Sequence, residues 1–295
     1  MIIEKSFKES VVVNLNKPPD ITSHQAGRKV QRLLGASKAG HAGTLDPFAE
    51  GLLLVCLNGA TRITGYLSSL EKEYIAHLQL GIVTDTLDIT GSIIKEENTA
   101  GITEDGIIRV LGQFKGELMQ VPPMYSAIKQ KGVPLYKLAR QGITVQREER
   151  RVFIAMMELL SFSLPEFVVR IRCSKGTYIR SLARDIGEAL GVGAVVKRLQ
   201  RTAIGHFKVE DAVSFEELGK GSFTFSTMDE ALAHLNELTL NDEQFRLAGH
   251  GTAFFANIGI SEGEPVRLKS PAGDFFAIGK LKDGGLMKIE KVFFQ

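Results

Sequence analysis

Chemically useful residues are densest in Gly40-His41-Ala42-Gly43-Thr44-Leu45-Asp46-Pro47. A carboxylate between a leucine and a proline, in a run of small residues that permits close approach, suits nucleophilic or electrostatic work at an electron-poor carbon. The same Asp-Pro step is also a turn former, and spacing alone leaves both readings open for Asp46. His41 likewise reads either as a local hydrogen-bonding group or as a reacting one. Arg180 stands at the start of a helical stripe, where the helix dipole disfavours a cation, so a specific partner is expected for it. No His-Glu-x-x-His pattern, phosphate-binding glycine loop, dinucleotide fingerprint or nucleophile elbow accompanies these residues, which argues against a metal or nucleotide cofactor.

A frame must hold them. Residues 11–15 (VVVNL) read as a buried strand stopped by Pro18-Pro19. Thr22 or Ser23 can cap a helix that carries Ala26, Val30, Leu33 and Leu34 on one face and closes at Gly35. The small-residue loop then enters a buried strand, LLLVCL. A helix is expected over 60–70, followed by the alternating strand KEYIAHLQLG, a turn at TDTLDITG and a further strand. Ile107, Val110, Leu111 and Phe114 mark another helix. Residues 121–148, broken by prolines and glycines and studded with cations, read as an excursion from the core. Strands at 151–161 and 166–173 precede a helix striped by Ile179, Leu182, Ala183, Ile186 and Leu190. Two short helices are expected in 205–237. From 238 onward, short alternating segments between Gly and Pro suggest a small β-barrel or sandwich. The expected class is α+β, with a mixed, largely antiparallel sheet and flanking helices over 1–237 and a small β-barrel domain over 238–295.

Composition sets the outer limits. The 295 residues are 44% hydrophobic and 24% charged, with a formal charge of +2, so any polyanionic partner must be sought in local clusters. Residues 21–41 hold four Lys/Arg and no acid, 129–151 hold seven against two, and 170–201 hold eight against two. Three such blocks beside candidate site loops suit a phosphate backbone better than a membrane, because no amphipathic anchor accompanies them. Cys56 and Cys173 lie far apart and outside any C-x-x-C, which excludes a disulfide scaffold or cysteine zinc site. The longest apolar run, Leu52 to Leu57, is far below membrane-spanning length, and the first ten residues contain no leader-like apolar core. A cytoplasmic protein is expected.

The stretches GHAGTLDPFAEGLL, LNKPPDITSH, KEYIAHLQLG with TDTLDITG, VPPMYSAIKQKGVPLYKLARQG, CSKGTYIRSLARDIG and VKRLQRTAIGHF closely resemble the bacterial tRNA pseudouridine-55 synthases, in register over residues 11–211. The resemblance implies isomerisation of uridine 55 in the tRNA T loop without metal or organic cofactor. It implies that Asp46 is the catalytic aspartate, that Tyr74 stacks on the target base, and that Arg180 pairs with the aspartate. Tyr178 and Leu199 would line the pocket, and His41 would fill the gap left by the flipped nucleotide. Ala42 replaces a threonine frequent in the family. The basic insertion, with Lys129, Lys131 and Arg140, would grip the RNA backbone. Residues 238–295 would form an RNA-binding PUA-like domain. The partner implied is the T stem-loop of tRNA, bound by a monomer without guide RNA or membrane. A guide-RNA-dependent pseudouridine synthase and a non-catalytic RNA-binding or RNA-folding protein are the competing readings, and a folding role could accompany catalysis.

Overall fold

The apolar run at Leu52 to Leu57 becomes a strand buried on both faces, and much of the larger unit is packed around it. The computed structural model describes residues 7–221, 223–256 and 258–293; part of the N-terminal stretch in which no leader was expected, residues 1–6, lies outside the described residues. In chain order this unit runs β1 (Val11–Lys17), α1 (Ser23–Leu34), β2 (Glu50–Leu57), β3 (Lys72–Leu80), α2 (Glu104–Gln113) and β4 (Gly116–Gln120). It continues with β5 (Arg150–Ser163), β6 (Glu166–Cys173), α3 (Ile179–Ala189) and β7 (Ala194–Ile204). The sheet order is β1-β2-β7-β3-β6-β5-β4, with Ser226–Thr227 added beyond β1, Ala39–His41 on β2 and Phe207–Lys208 on β7. Only β2 and β7 pair in parallel, so the sheet is mixed and largely antiparallel.

Strand periodicity sorts the side chains. Alternate residues of β3 (Tyr74, Ala76, Leu78) and β6 (Val169, Ile171) turn to one face, where the apolar stripe of α3 packs on them. β2 has no solvent face: Leu52, Leu54 and Cys56 join one cluster, while Leu53, Val55 and Leu57 join a second with Ala26 and Val30 of α1. Thr22, not Ser23, caps α1, through a capping box with Gln25, and Gly35 ends the helix at φ 66°. The expected 60–70 helix is a 3₁₀ turn, Asn58–Ile63, followed by one short helix, Thr64–Ser68. The 121–148 segment does leave the core, as a hairpin of Lys129–Gln130 with Val133–Pro134 and a short helix, Leu135–Ala139.

A second sheet is built from β8 (Asn236–Thr239), β9 (Phe254–Phe255), β10 (Pro265–Lys269), β11 (Phe275–Lys282) and β12 (Leu286–Val292), in the order β8-β10-β11-β12-β9. Among the described residues its edge strands do not pair with each other. It is therefore an open half-barrel where the sequence suggested a small β-barrel or sandwich. It also carries a helix that the β-like texture hid, α4 (Asp242–Gly249), capped by Asn241. Phe275, Ile278 and Phe293 of this sheet share a cluster with Leu52 and Leu54, which ties it to the back of β2.

One glycine fixes how the sheet is assembled. At Gly51, φ is +102°, and an added Cβ would stand 2.4 Å from the carbonyl oxygen of Arg201 on the neighbouring strand. Gly51→Ala should therefore destabilise the fold by more than about 2 kcal/mol through strain and overlap. By contrast, Gly112→Ala in α2 meets nothing within 4 Å and should stabilise by roughly 0.5–1 kcal/mol. Urea denaturation of the two variants checks the pair.

Candidate active site

Asp46 lies where the chain turns back from Ala39–His41 into β2, in a loop gripped from below by three buried side chains of three different elements. Ser23, at the head of α1, donates from Oγ to the Leu45 carbonyl (2.9 Å) and accepts from the Leu45 amide (2.8 Å). Lys17, at the end of β1, donates from Nζ to the carbonyls of Pro18 (2.8 Å), Ile21 (2.9 Å) and Pro47 (3.2 Å). Arg201 of β7 donates to the carbonyls of Leu52 (2.7 Å), Gly43 (3.2 Å) and Thr44 (3.3 Å). The backbone is thus fixed on both sides of the aspartate. The Asp46 carbonyl accepts from the Ala49 amide at 3.2 Å, so the main chain makes the turn while the carboxylate stays free for other work.

That carboxylate meets Arg180 in a fork. Arg180 Nε donates to Asp46 Oδ2 and Nη2 to Oδ1, both at 2.8 Å. Arg180 is 4% exposed and Asp46 29%, so the cation is sealed in while the anion keeps an open side. The other donors are occupied too: Nη1 reaches the Thr86 carbonyl (3.0 Å) and Nη2 the Tyr125 carbonyl (2.9 Å). Asp88, 3.7 Å from Nη1, supplies a second negative charge. Its Oδ1 accepts from Thr86 Oγ1 (2.8 Å), the Thr90 amide (3.1 Å) and Thr90 Oγ1 (2.6 Å), which holds the TDTLDIT turn in shape. The partner expected for a cation at a helix start is therefore Asp46, with Asp88 behind it.

Tyr74, Tyr178 and Leu199 converge on the same locale. Tyr74 and Leu199 share the buried cluster that holds Leu45 and Ala49. Burial pushes the Tyr74 phenol up, with the Arg201 guanidinium opposing, so Tyr74 is a neutral phenol near pH 7. Burial raises Tyr178 as well, opposed by Ser126; its backbone is clamped by Gln120, which accepts from the Tyr178 amide (2.8 Å) and donates to its carbonyl (3.1 Å). His41 faces the Arg201 side of the loop. Burial lowers its proton affinity, followed by Arg201 and His24, and its Nδ1 is buried without a partner. Lys129, Lys131 and Arg140 are exposed on the insertion and contribute nothing to the Asp46 pocket. Among the described residues no three His, Cys, Asp or Glu side chains gather as a metal site, and no helix is long and apolar enough to cross a membrane.

Sequence reasoning passed over several residues that matter here. Arg201 had a signal: it lies in phase with Leu199 and Ala203 on the inward face of β7, where a cation demands explanation. Lys72 is likewise in phase with Tyr74, and its ammonium donates to the carbonyls of Ser68 and Leu70, both at 2.6 Å. Asp88 is one of two acids in TDTLDITG, and spacing does not single it out.

Comparisons with known proteins agree with one another. Residues 31–179 match the family model described as TruB family pseudouridylate synthase (N terminal domain), and residues 180–240 match the tRNA pseudouridylate synthase B C-terminal domain. A tRNA pseudouridine synthase B of Clostridium perfringens is 40% identical over 291 residues, 96% of this chain and 99% of its own. One from Dehalococcoides mccartyi is 39% identical over 290 residues, 96% of each chain. A solved Cbf5-Nop10-Gar1 complex contains a chain 29% identical with a TM-score of 0.76, covering 100% of this chain and 88% of that one.

Two outcomes follow from the site's electrostatics. Arg180→Met leaves the Asp46 and Asp88 carboxylates facing a buried apolar group and should cost about 3–5 kcal/mol in urea unfolding. Lys17 is pushed down to about 8 by burial, against the pull of Asp46. Between pH 8 and 10.5 the unfolded chain therefore binds more protons at this position than the folded one, and stability rises with pH. The unfolding free energy of the parent relative to Lys17→Met should accordingly increase by about 1–2 kcal/mol from pH 7.5 to 9.5.

Proposed function

The chain belongs to the TruB family of pseudouridylate synthases, which are isomerases, and we propose that it converts uridine 55 in the T loop of tRNA to pseudouridine with Asp46 as the essential carboxylate. The observation that carries this reading is the half-open fork: an anion exposed on one side, held by a sealed guanidinium with almost no donor left for anything else. The tRNA substrate is supported by relatives named tRNA pseudouridine synthase B that align over nearly the whole chain.

The chemistry fits the residues. A uridine in a folded T loop exposes neither C1′ nor C5, so the nucleotide must be turned out of the stack at a cost of a few kcal/mol. Stacking on Tyr74 returns roughly 1–3 kcal/mol of this. The N1–C1′ bond breaks, the uracil turns over, C5 joins C1′, and the proton on C5 is lost as one is gained at N1, so the reaction needs no oxidant or reductant. Asp46 meets the electron-poor sugar either by attack at C1′ or by stabilising it while a neighbouring proton leaves. Both routes need a charged oxygen with a free lone pair, and each Asp46 oxygen spends only one lone pair on Arg180. Tyr178 and Leu199 complete the pocket wall, and His41 occupies the space left in the RNA.

Lys129, Lys131 and Arg140 supply backbone contacts from the insertion, and the second sheet serves as a PUA-like RNA-binding domain. We take the enzyme to act as a cytoplasmic monomer without guide RNA, since the tRNA-named relatives are nearer in sequence than the Cbf5 chains.

The experiment is the conversion of an unmodified T-stem-loop transcript by the purified chain alone. Asp46→Asn preserves the size and turn-forming capacity of the residue but removes the anionic oxygen. It should abolish detectable pseudouridine while leaving RNA binding largely intact, because phosphate contacts dominate affinity. Turnover near the parental rate would end this reading.

A further inference from the structure

The insertion does more than project from the surface, because its root is keyed into the site. The Tyr125 carbonyl accepts from Arg180 Nη2 at 2.9 Å, the Val121 carbonyl accepts from Ser181 Oγ at 2.8 Å, and Tyr125 Oη lies 3.4 Å from Asp85 Oδ2. The residue after Tyr125 is Ser126, 5% exposed, with its backbone satisfied: the amide donates to the Met124 carbonyl (2.9 Å), and its carbonyl accepts from the Tyr136 amide (3.1 Å). Its hydroxyl is different. Ser126 Oγ is buried and makes no hydrogen bond. It stands beside the Tyr178 phenol, which it restrains against the upward push of burial, though without the alignment of a formed hydrogen bond. A buried hydroxyl without a partner costs about 1–3 kcal/mol, so a sequence that keeps one beside Tyr178 and the Arg180 shell calls for a use.

We propose that Ser126 is a substrate-positioning residue whose hydroxyl, alongside that of Tyr178, hydrogen-bonds the polar edge of the target uracil. This rests on the pseudouridine-synthase reading above and extends it to a side chain supplied by the insertion. Uracil chemistry supports the assignment. Turning the ring about the N3–C6 axis exchanges N1 with C5 and O2 with O4. The outer edge therefore reads acceptor, donor, acceptor both before and after the turn. A hydroxyl, which donates and accepts, can hold that edge at both ends of the reaction. Ser126 is also one residue from the carbonyl that secures Arg180, so seating the base on it registers the nucleotide against the Asp46 fork.

The test uses the full chain and the unmodified T-stem-loop transcript, with single-turnover rate at saturating RNA, RNA dissociation constant and Tm measured for each variant. Ser126→Ala should slow the reaction about tenfold or more, the worth of one hydrogen bond realised at the reacting base. It should leave the dissociation constant within about twofold and Tm unchanged or higher, because an unpaired buried hydroxyl has been removed. Tyr178→Phe should slow the same step. The double variant should be no slower than the slower single one, since both hydroxyls serve one edge. A Ser126→Ala rate within twofold of the parent overturns the proposal, as does a slow rate accompanied by a matching fall in Tm or in RNA affinity. Independent, multiplying losses in the double variant overturn the shared edge. Asp46→Asn run in parallel separates the two levels: an active Asp46→Asn removes the parent reading, whereas an inactive one beside a fully active Ser126→Ala removes only the role of Ser126.

Discussion

The fork between Arg180 and Asp46 is the constraint on which the rest depends. The two residues are 134 positions apart in the chain, and each comes from an element that must be placed independently. A guanidinium this deeply buried is expensive to desolvate, and the cost is offset only when its donors are filled with good geometry. Here four contacts lie at 2.8–3.0 Å, and Asp88 stands beyond them at 3.7 Å. Four of the arginine's five N–H groups are filled and the fifth is on Nη1, which faces Asp88, so almost nothing is left for a phosphate. Its fork fixes the orientation of one carboxylate, and the pieces that complete its shell, Thr86, Asp88 and Tyr125, come from two loops that would otherwise have no reason to meet.

Beneath the fork the protein uses buried cations in an unusual way. Lys17, Lys72 and Arg201 are all buried, and their hydrogen-bond partners in the structure are backbone carbonyls. Burial pushes both lysines down to about 8, which records the cost of this arrangement. Carbonyl dipoles at the ends of strands and turns replace the carboxylates that a surface site would use, and in return loop backbone is held rigidly on both flanks of Asp46. The positive field of these groups lies under a carboxylate whose other side is open. Lys17 and Arg201 supply rigidity and charge to the loop together, while Lys72 ties down the carbonyls of Ser68 and Leu70.

Periodicity made some of this visible in the sequence and hid the rest. The stripes of α1 and α3, the doubly buried run of β2 and the alternation of β3 were legible because apolar spacing alone dictates them. The strand β7 was not read, since Lys197, Arg198, Gln200 and Arg201 break the apolar pattern and two of its positions are register irregularities against β3. Helix α4 was missed for the opposite reason, because the stretch that follows it is rich in the Gly and Pro of strands and turns. Asp46 stood out by its loop, but Asp88 and Ser126 did not. Their value comes from what the fold brings beside them, and a single chain position carries no trace of that.

Charge counting shows the same limit most sharply. The block at 170–201 has the greatest basic excess in the sequence, yet the fold consumes six of its eight cations, leaving Lys175 and Arg198 exposed. Arg180 and Arg201 are internal, while Arg170 pairs with Glu158, Arg172 with Glu71, Arg184 with Asp185 and Lys197 with Glu166. On the insertion, Lys129, Lys131, Lys137 and Arg140 are exposed and have no carboxylate partner among the described residues; on α1, Arg28 and Arg32 are similarly exposed. A phosphate releases counterions only to cations that are free to meet it. On the proposed reading, therefore, the RNA backbone is met by the insertion and by α1. From the largest basic block, Arg180 and Arg201 instead build the pocket and four more cations are spent on ion pairs, so on this reading most of the charge that binds the substrate and the charge beside Asp46 belong to different parts of the chain.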